Sequence, residues 1–318
     1  MRAVRLSPQG LDLDVDFPLP KPVDNEVSVR VLKAGICETD LQLIRGYMGF
    51  RGTLGHEFVG VAESGRYAGQ RVVGDINCAC GECKTCLDNR PHHCPTRSVL
   101  GIVNRDGAFA DHVMLPERNL HPVDDSIPTE HAVFVEPLAA ALRILQQVPI
   151  DSTQRVLILG AGRLGNLCAQ AIATSGAKVT VVGKHRDKLA LLDAEGISTQ
   201  LLDDIDTRKR VADVVVDCTG AENGFSTAMK LVRPEGTIVM KTTVAGDQTT
   251  QLWPVVVDEV KVVGSRCGDF EPALEALRDH RVNVEPLISS VRPLEEFQEA
   301  FDDARRKNMI KVLFHISD

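Results

Sequence analysis

A glycine-rich turn between a short apolar strand and an apolar helix most constrains how this chain can fold. The stretch LILGAGRLG spaces Gly160, Gly162 and Gly165 as G-x-G-x-x-G, with Arg163 and Leu164 between the last two glycines. In such a turn the first glycine makes the bend, the second lets backbone N–H groups approach a pyrophosphate, and the third allows close helix–strand packing. Because a second strand, KVTVV, follows the helix, the motif predicts a dinucleotide-binding turn more than a merely tight connection, and these five residues are its predicted cofactor contacts.

The turn lies in a segment where short apolar strands alternate with helices. Strands are predicted at 155–159, 178–182, 211–217 and 236–241, with helices at 164–174 and 187–194. This alternation predicts an α/β fold with a parallel sheet, doubly wound by helices on both faces. The first third of the chain has short alternating runs broken by Pro and Gly, such as EVSVRV and EFVGVAES, and is predicted to be mostly β. Two amphipathic helices and a final strand are predicted near the C-terminus.

The second strand of the alternating segment ends in GKHR, which comprises Gly183, Lys184, His185 and Arg186. An Asp or Glu at this place would bond the ribose hydroxyls of NAD and would repel a 2′-phosphate. A glycine followed by cations makes room for that phosphate and supplies charge, which favours NADP. The alternative interpretation is that these cations are solvated charges at the start of the next helix, in which case NAD stays a candidate.

Three separated motifs carry groups that can bind a metal ion. GICETD contains Cys37, GHEFVG contains His56 and Glu57, and FVEPLA contains Glu136. A thiolate, an imidazole and a carboxylate can hold Zn²⁺ and leave a fourth position open, as a catalytic zinc requires. Each motif alone is ambiguous, because a lone buried cysteine usually packs in a core and a His-Glu pair usually lies on the surface. Their combination predicts a catalytic zinc site.

A cluster of cysteines follows with the spacing C-x2-C-x2-C-x7-C, formed by Cys80, Cys83, Cys86 and Cys94. Four thiolates at such intervals suit a tetrahedral zinc that is closed to substrate. An iron–sulfur cluster, a redox motif and an empty site are the alternatives, although a redox C-x-x-C is expected in a thioredoxin-like βαβ unit, which this region does not resemble. Cys78 falls outside the spacing. The odd total of nine cysteines also argues against a disulfide framework.

Length and charge exclude several other classes of protein. A chain of 318 residues predicts about two domains. The formal net charge of −8, without a long basic run, argues against a nucleic-acid partner. No apolar stretch approaches the length of a membrane span, and the N-terminus lacks a hydrophobic signal core. We therefore expect a cytoplasmic protein without a membrane partner.

In chain order, the motifs GICETD, GHEFVG, the cysteine cluster, VEPLAAAL, GAGRLG and VVGSRC resemble those of the zinc-dependent medium-chain alcohol and polyol dehydrogenases. The resemblance covers nearly the whole chain, and Glu at the third-ligand position is similar to the sorbitol, threonine and glucose dehydrogenase branches. It implies a GroES-like β-rich catalytic domain at 1–137 and 269–318, a Rossmann cofactor domain at 138–268, and a cleft between them. It also implies a homodimer or homotetramer.

The resemblance further implies roles for individual residues at the metal. Cys37, His56 and Glu136 would bind the catalytic zinc, and Glu57 would be close enough to act as a conditional ligand. Asp40 would contact His56 and fix its tautomer. The cysteine cluster would bind a second, structural zinc in the same chain.

On the substrate side, Thr39 would hydrogen-bond the substrate hydroxyl and relay its proton, while hydride passes between substrate and nicotinamide. Thr39, Asp40 and Glu57 are thus the predicted catalytic residues, and Thr219 is a further predicted cofactor contact. Gln42 stands where many members have a titrating His, so the relay is expected to end in the cofactor ribose or water. The predicted substrates are a secondary alcohol, polyol or sugar, or the matching carbonyl. A zinc-ribbon binding module without turnover and a zinc-free reductase on the same fold are the alternatives.

Overall fold

The computed structural model describes residues 1–21, 23, 25–241 and 250–318, and the chain divides into two compact units. The first unit comprises Met1–Glu136, Ala273–Arg278 and Leu287–Asp318. The second comprises Pro137–Pro272 and Asp279–Pro286. Each unit has its own sheets.

The strands of the described residues, numbered along the chain, are β1 Ala3–Ser7, β2 Gly10–Asp14, β3 Glu26–Gly35, β4 Gly52–Thr53, β5 Glu57–Ala62, β6 Arg71–Gly74, β7 Asn77–Cys78, β8 Ser98–Val99, β9 His112–Pro116, β10 Leu120–Pro122, β11 Arg155–Leu159, β12 Lys178–Gly183, β13 Ser198–Leu201, β14 Ala212–Asp217, β15 Val232–Met240, β16 Lys261–Gly264, β17 Ile288–Pro293 and β18 Lys311–His315. The α-helices of the same residues are α1 Glu38–Ile44, α2 Lys84–Leu87, α3 Thr129–Ala132, α4 Val135–Gln147, α5 Arg163–Ala173, α6 Arg186–Ala194, α7 Gly224–Leu231, α8 Trp253–Val257, α9 Phe270–Arg278 and α10 Phe297–Arg305.

The first unit is built mainly from antiparallel strands. Its largest sheet has the order β10-β6-β5-β3-β18-β17, and β9 also pairs with β3. Smaller sheets have the orders β2-β1-β4 and β7-β8. Along β3 the side chains of Val27, Val29 and Val31 are buried while the residues between them are less so, as expected for a strand with one face on a core. The predicted β-rich character of this region is confirmed.

The C-terminal segment completes the core of the first unit. Strand β18 pairs antiparallel with β3 and parallel with β17. Phe314 on β18 and Phe301 on α10 both pack on Phe109, with ring centroids 5.0 and 6.0 Å away in edge-to-face arrangements. All three rings are buried. The last helix and strand are therefore part of the same core as β3 and β5.

The second unit contains a parallel sheet with the order β13-β12-β11-β14-β15-β16 in the part of the chain that the structure describes. Every neighbouring pair in it is parallel, which confirms the predicted α/β class. Numbered within this sheet, the order is 3-2-1-4-5-6, the doubly wound order of dinucleotide-binding domains. Apolar residues from β14, α7 and β15, such as Val215, Ala228 and Ile238, form part of its core.

None of the helices that the structure describes combines the length and the apolar character needed to cross a membrane.

Candidate active site

Cys37 lies where β3 ends and α1 begins, as the N-cap residue of that helix. Oδ2 of Asp40, in the first turn, accepts a hydrogen bond of 2.8 Å from the Cys37 backbone N–H. A carboxylate in this place satisfies a backbone donor that the helix leaves unpaired and complements the helix dipole. The position of Cys37 is therefore fixed by its own helix start.

Asp40 also reaches the loop that carries His56. Its Oδ1 accepts a hydrogen bond of 3.3 Å from the Gly55 backbone N–H and lies 3.2 Å from Nδ1 of His56. The Asp40 and His56 side chains are 0% and 3% exposed, so this contact is shielded from water. Because Nδ1 faces the carboxylate, Nε2 is the ring nitrogen left for another ligand. The structure thus brings together Asp40 and His56, as the sequence predicted.

Cys37, His56 and Glu57 form one group of candidate metal ligands. One ligand atom from each lies within 4.8 Å of the others. The antiparallel pairing of β3 with β5 explains this. Gly35 and Glu57 are register partners, so Cys37, just after Gly35, and His56, just before Glu57, lie at the same end of the sheet. Glu136, in the first turn of α4, is half-buried and belongs to neither of the two ligand groups found among the described residues.

Lys311 is a member of the site that the sequence analysis missed. Its Nζ forms an ion pair with Oε2 of Glu57, and it donates a hydrogen bond of 3.3 Å to the Ile36 carbonyl. Both side chains of the ion pair are buried, at 3% and 1% exposure. A carboxylate and an ammonium that lose water together are stabilised only while both remain. Glu57 is therefore held by a cation beside the other candidate ligands.

These buried charges shift one another's protonation. Burial alone raises the pKa of Cys37, but the hydrogen bond and charge of His56, helped by the charge of Lys311, lower it to about 6. Burial lowers the pKa of His56, and the charge of Asp40 and the contacts with Asp40 and Cys37 outweigh it and raise that pKa well above its ordinary value. Burial lowers the pKa of Lys311 to about 8. The surroundings of Cys37 favour the thiolate, which is the form that a metal binds.

The donor chemistry of this group fits a zinc ion. Sulfur, imidazole nitrogen and carboxylate oxygen are the ligand types that zinc takes, and three such ligands leave one position free. Nδ1 of His56 is buried, and its contact with Asp40 is an ion-pair contact of 3.2 Å. No described residue forms a hydrogen bond of normal geometry with this nitrogen. A ring held through Nδ1 by a carboxylate is the usual arrangement of a zinc-binding histidine.

Thr39, predicted to contact the substrate, and Gln42, predicted to take no part in the proton relay, both lie in α1. Thr39 is half-buried, and its Oγ1 is 3.9 Å from Sγ of Cys37. Gln42 donates a hydrogen bond of 2.9 Å to Glu38 on the helix surface. Because an amide cannot titrate, this contact gives Gln42 no role in proton transfer.

The cysteine cluster brings four sulfur atoms together. Their Sγ atoms are 3.9 Å apart for Cys80 and Cys86, 3.5 Å for Cys83 and Cys86, 3.9 Å for Cys83 and Cys94, and 3.6 Å for Cys80 and Cys94. Disulfides would place paired sulfurs about 2.05 Å apart. A zinc tetrahedron with bonds of about 2.3 Å has edges of about 3.8 Å, which the observed separations match.

Backbone donors around the cluster favour thiolates. The Cys83 N–H donates to Sγ of Cys80 at 3.4 Å, and the Cys80 N–H donates to Sγ of Cys94 at 3.5 Å. Backbone hydrogen bonds from Glu82 and Cys83 lower the pKa of Cys80, and the bond from the Cys80 N–H with the Thr96 hydroxyl lowers that of Cys94 to about 6. Burial instead raises the pKa of Cys86 to about 12. Cys78 does not belong to the cluster, and burial raises its pKa to about 11. The four spaced sulfurs thus form a group that could hold a metal ion, and Cys78 lies outside it.

The glycine turn of the second unit connects β11 to α5. Gly160 has a φ of +102°, and a Cβ there would lie 2.7 Å from the Cys218 carbonyl oxygen. A Cβ on Gly165 would lie 1.8 Å from the Gly160 carbonyl oxygen, whereas one on Gly162 would meet no atom within 4 Å. Gly162 is the N-cap of α5. The first and third glycines are therefore required by the fold, and the second leaves open space at the helix N-terminus.

The other predicted cofactor residues lie at the carboxyl ends of β12 and β14, the two strands that flank β11. Gly183 ends β12, where a Cβ would be 2.9 Å from Leu189, and it is followed by the exposed side chains of Lys184, His185 and Arg186. Thr219 follows β14, and its hydroxyl donates a hydrogen bond of 2.7 Å to Asp217. Carboxyl ends of adjacent parallel strands meet at one sheet edge, where doubly wound folds bind their ligands.

Comparisons with known proteins agree with both parts of the chain. Residues 23–125 match the alcohol dehydrogenase GroES-like domain, and residues 164–279 match the zinc-binding dehydrogenase family. Sorbitol dehydrogenase of Halalkalibacterium halodurans is 28% identical over 320 residues, covering 93% of each chain. L-threonine 3-dehydrogenase of Xanthomonas oryzae pv. oryzae is 33% identical over 248 residues, covering 70% of this chain and 71% of the relative.

A solved structure supports the same fold. An alcohol dehydrogenase of Escherichia coli CFT073, complexed with NADH, superimposes with a TM-score of 0.90 over 99% of both chains at 23% identity. The family models and the threonine dehydrogenase relative go further than fold, since they match the sequence itself. The chain therefore belongs to the zinc-type medium-chain dehydrogenase family, whose members are alcohol and polyol oxidoreductases.

Proposed function

We propose that this chain is a zinc-dependent dehydrogenase that moves a hydride between NADP(H) and a secondary alcohol of a polyol or sugar, or the matching carbonyl. The observation that carries the proposal is the convergence of Cys37, His56 and Glu57, whose ligand atoms lie within 4.8 Å of one another. His56 and Glu57 are adjacent in the sequence, and the pairing of β3 with β5 brings Cys37 to them from a separate segment. A sulfur–nitrogen–oxygen donor set of this kind suits a catalytic zinc.

In this proposal Cys37 and His56 hold the zinc, and a carboxylate completes the set. The resemblance assigns that carboxylate to Glu136, with Glu57 as a conditional ligand; the ion pair with Lys311 supports the lesser role for Glu57. When bound, zinc supplies Lewis-acid chemistry that lowers the pKa of an alcohol or polarises a carbonyl. Asp40 holds the His56 ring in the orientation that leaves Nε2 for the metal.

In this proposal the Thr39 hydroxyl relays the substrate proton. Its position two residues after Cys37, with Oγ1 3.9 Å from the sulfur, supports a role in bonding a substrate hydroxyl next to the metal ligands. A hydroxyl can accept a proton from substrate on one side and donate its own on the other. Gln42 does not continue this relay, because its amide does not titrate and is bonded to Glu38.

The cofactor is bound at the glycine turn of the second unit. The nicotinamide supplies the hydride acceptor or donor when bound. Backbone N–H groups near Gly162 would bind the pyrophosphate, and the open space there supports this role. Gly183 with Lys184, His185 and Arg186 would take the 2′-phosphate of NADP, because no carboxylate stands at the end of β12 and the side chains of all three residues after Gly183 are exposed, two of them cationic. Thr219 lies at the same edge after β14.

The second zinc is structural and is held by Cys80, Cys83, Cys86 and Cys94. The sulfur separations of 3.5 to 3.9 Å support this assignment. Because all four positions of the tetrahedron are taken by the chain, this zinc would have no place for substrate. It would stabilise the loop between β7 and β8.

The substrate class rests on the family and on the relatives named sorbitol dehydrogenase and L-threonine 3-dehydrogenase. We infer a hydroxyl flanked by further polar groups, and a cytoplasmic homodimer or homotetramer with domains at 1–137 plus 269–318 and at 138–268. A screen of alcohols, polyols and aldoses with NADP and NAD, on protein of measured zinc content, tests the function. Polyol-dependent reduction of NADP with two zinc ions per chain is expected. No turnover of any alcohol by fully zinc-loaded protein would reject the proposal.

A further inference from the structure

Two cysteines outside both metal-ligand groups lie side by side beneath the glycine turn. Cys168 is on α5 and is completely buried, and Cys218 follows β14 and is half-buried. Their Sγ atoms are 3.8 Å apart, with the Cys218 thiol donating to the Cys168 sulfur. This is contact distance without a covalent bond, and closure to a disulfide would need an approach of about 1.8 Å.

Cys218 is in contact with the turn itself. Its N–H donates a hydrogen bond of 2.9 Å to the Leu159 carbonyl, directly before Gly160. Its carbonyl oxygen would be 2.7 Å from a Cβ on Gly160, and its own Cβ would be 3.6 Å from one on Gly165. Cys218 therefore leaves no room for a Cβ on Gly160, and it would be in ordinary contact with one on Gly165. A displacement of Cys218 must therefore be transmitted to the dinucleotide-binding turn.

We propose that Cys168 and Cys218 form an oxidation site, which a peroxide converts to a disulfide and which weakens dinucleotide binding when oxidised. The part of this inference that concerns dinucleotides rests on the proposed function. The two cysteines are in contact, and Cys218, which follows β14, is only half-buried. A small oxidant can therefore reach the pair through Cys218.

The chemistry balances with a peroxide as the only co-reactant. One sulfur attacks a peroxide oxygen, the O–O bond breaks, and the products are a sulfenic acid and, for hydrogen peroxide, one water. The second sulfur attacks the sulfenic sulfur, the S–O bond breaks, and a second water leaves. Two thiols are oxidised to one disulfide, and the peroxide is reduced to two waters. A thiol reductant reverses the step.

The surroundings favour the reactive form. The hydrogen bond from Cys218 lowers the pKa of Cys168, burial opposes this, and the charge of Lys241 adds to the lowering. Lys241 is buried and fixed by hydrogen bonds of 2.7 and 3.0 Å to the Ala140 and Arg266 carbonyls. The same hydrogen bond and burial raise the pKa of Cys218 well above its ordinary value, so the thiolate of the pair is favoured at Cys168. That thiolate is the nucleophile toward peroxide.

The test uses the full zinc-loaded chain treated with hydrogen peroxide, followed by alkylation of free thiols and peptide mass mapping. A cross-linked peptide containing Cys168 and Cys218 is expected, and it should disappear after treatment with a thiol reductant. Its absence while other thiols oxidise would overturn the proposal. This mapping does not depend on any enzymatic activity, so it stands even if the proposed function fails.

The second readout is the affinity for NADPH, measured by its fluorescence on reduced and oxidised protein. Oxidation should weaken binding by about tenfold, within the range of typical coupling between sites, and bound NADPH should slow the oxidation reciprocally. Cys168→Ala and Cys218→Ala should each abolish both effects, and Cys78→Ala should behave as wild type. The inferred coupling would be contradicted if peroxide weakened NADPH binding in Cys218→Ala as much as in wild type. It would also be contradicted if the cross-link formed in wild type without loss of NADPH affinity. Absence of NADPH binding by the reduced protein would instead reject the proposed function.

Discussion

Oδ1 of Asp40 lies 3.2 Å from Nδ1 of His56, and both side chains are buried in the first unit. The other oxygen of the same carboxylate accepts the Cys37 backbone N–H at 2.8 Å. One side chain thus positions both the thiol and the imidazole that the proposed zinc would need. A buried carboxylate with these contacts is an orienting group for the ligands, in addition to its role at the start of α1.

Asp40→Asn should weaken zinc binding at the catalytic site by about 10- to 100-fold, as loss of such orienting carboxylates does. The amide keeps the shape of the side chain but loses the charge that fixes the His56 tautomer. Competition with a chelator measures the affinity. Asp106→Asn is the matched control, because Asp106 also accepts a backbone N–H, from Thr53, away from the ligand group. Equal zinc affinity in Asp40→Asn and wild type would refute the role of Asp40.

The ion pair of Glu57 with Lys311 leads to a prediction about stability. Glu57→Gln should lower the free energy of unfolding by about 3–5 kcal/mol, because it leaves a buried ammonium without its partner. Denaturant unfolding measures this. The double variant Glu57→Gln with Lys311→Met should recover most of the loss, since no buried charge remains unpaired. If the double variant is as unstable as the single one, the ion pair is not the cause.

Substitution of Glu57 and of Glu136 distinguishes which carboxylate is the third zinc ligand. Glu136→Gln should lower the zinc affinity of the catalytic site more than Glu57→Gln does, because Glu57 is already held by Lys311. The reverse order would transfer the ligand role to Glu57.

The parts of this protein that the sequence predicted depend on short-range patterns. The glycine turn, the strand before it and the helix after it lie within a few residues of one another, and β11 was predicted with the bounds that the structure has. Strands β13 and β16 were missed. The sequence of β13, STQL, has little apolar character, and β16 lies at the sheet edge with exposed or half-buried residues, so neither gives a clear periodic signal.

Lys311 could not be found in this way, because its role depends on pairing between distant segments. In the sequence KVLFH it is only the first residue of a final strand. The pairing of β18 with β3 brings its ammonium to the Ile36 carbonyl across 275 positions of the chain. Glu57 was already a candidate because it follows His56 in the motif GHEFVG, and its ligand atom lies within 4.8 Å of those of Cys37 and His56, while Glu136 is outside this group.

Asp75 predicts a dependence of stability on pH. Burial raises its pKa, but hydrogen bonds from His92 at 2.9 Å and from Asn77 outweigh burial and lower it below the ordinary 3.8. A lowered carboxyl pKa contributes stability above the unfolded-state pKa, and this contribution is lost as the pH falls through the folded-state pKa. Asp75→Asn should therefore cost about 1–3 kcal/mol at neutral pH.

The cost of Asp75→Asn relative to wild type should shrink as the pH falls from about 4 through the lower folded-state pKa, because the unfolded state binds the proton first and both states bind it only below the folded-state pKa. Urea unfolding at a series of pH values measures the difference, with the zinc content of both proteins determined at each pH, because acid protonates the ligands and releases zinc. Asp88→Asn is the control, because that exposed carboxylate bonds the surface side chain of Lys84 and should change stability little. If the stability cost of Asp75→Asn does not depend on pH, the substitution acts through the shape of the side chain and not through its charge.

Arg186→Ala should raise KM for NADP by about 10-fold or more and leave KM for NAD nearly unchanged, because it removes a charge-assisted bond to the 2′-phosphate. Steady-state rates with both cofactors measure this. Lys178→Ala, an exposed cation at the opposite end of β12, is the matched control and should affect neither cofactor. A chain that prefers NAD, with a preference that Arg186→Ala does not alter, would reject the assignment of NADP.

The central claim is that hydride transfer depends on a zinc held by Cys37 and His56. The most direct measurement is the rate of polyol-dependent NADP reduction by Cys37→Ser, loaded with zinc under the same conditions as wild type. We predict a loss of about a thousandfold or more, since several kcal/mol of charge stabilisation are removed. Cys83→Ser, which disturbs the structural cluster instead, should bind one zinc fewer yet retain far more activity. A Cys37→Ser variant that reduces NADP at the wild-type rate would contradict the claim and support a zinc-free reductase.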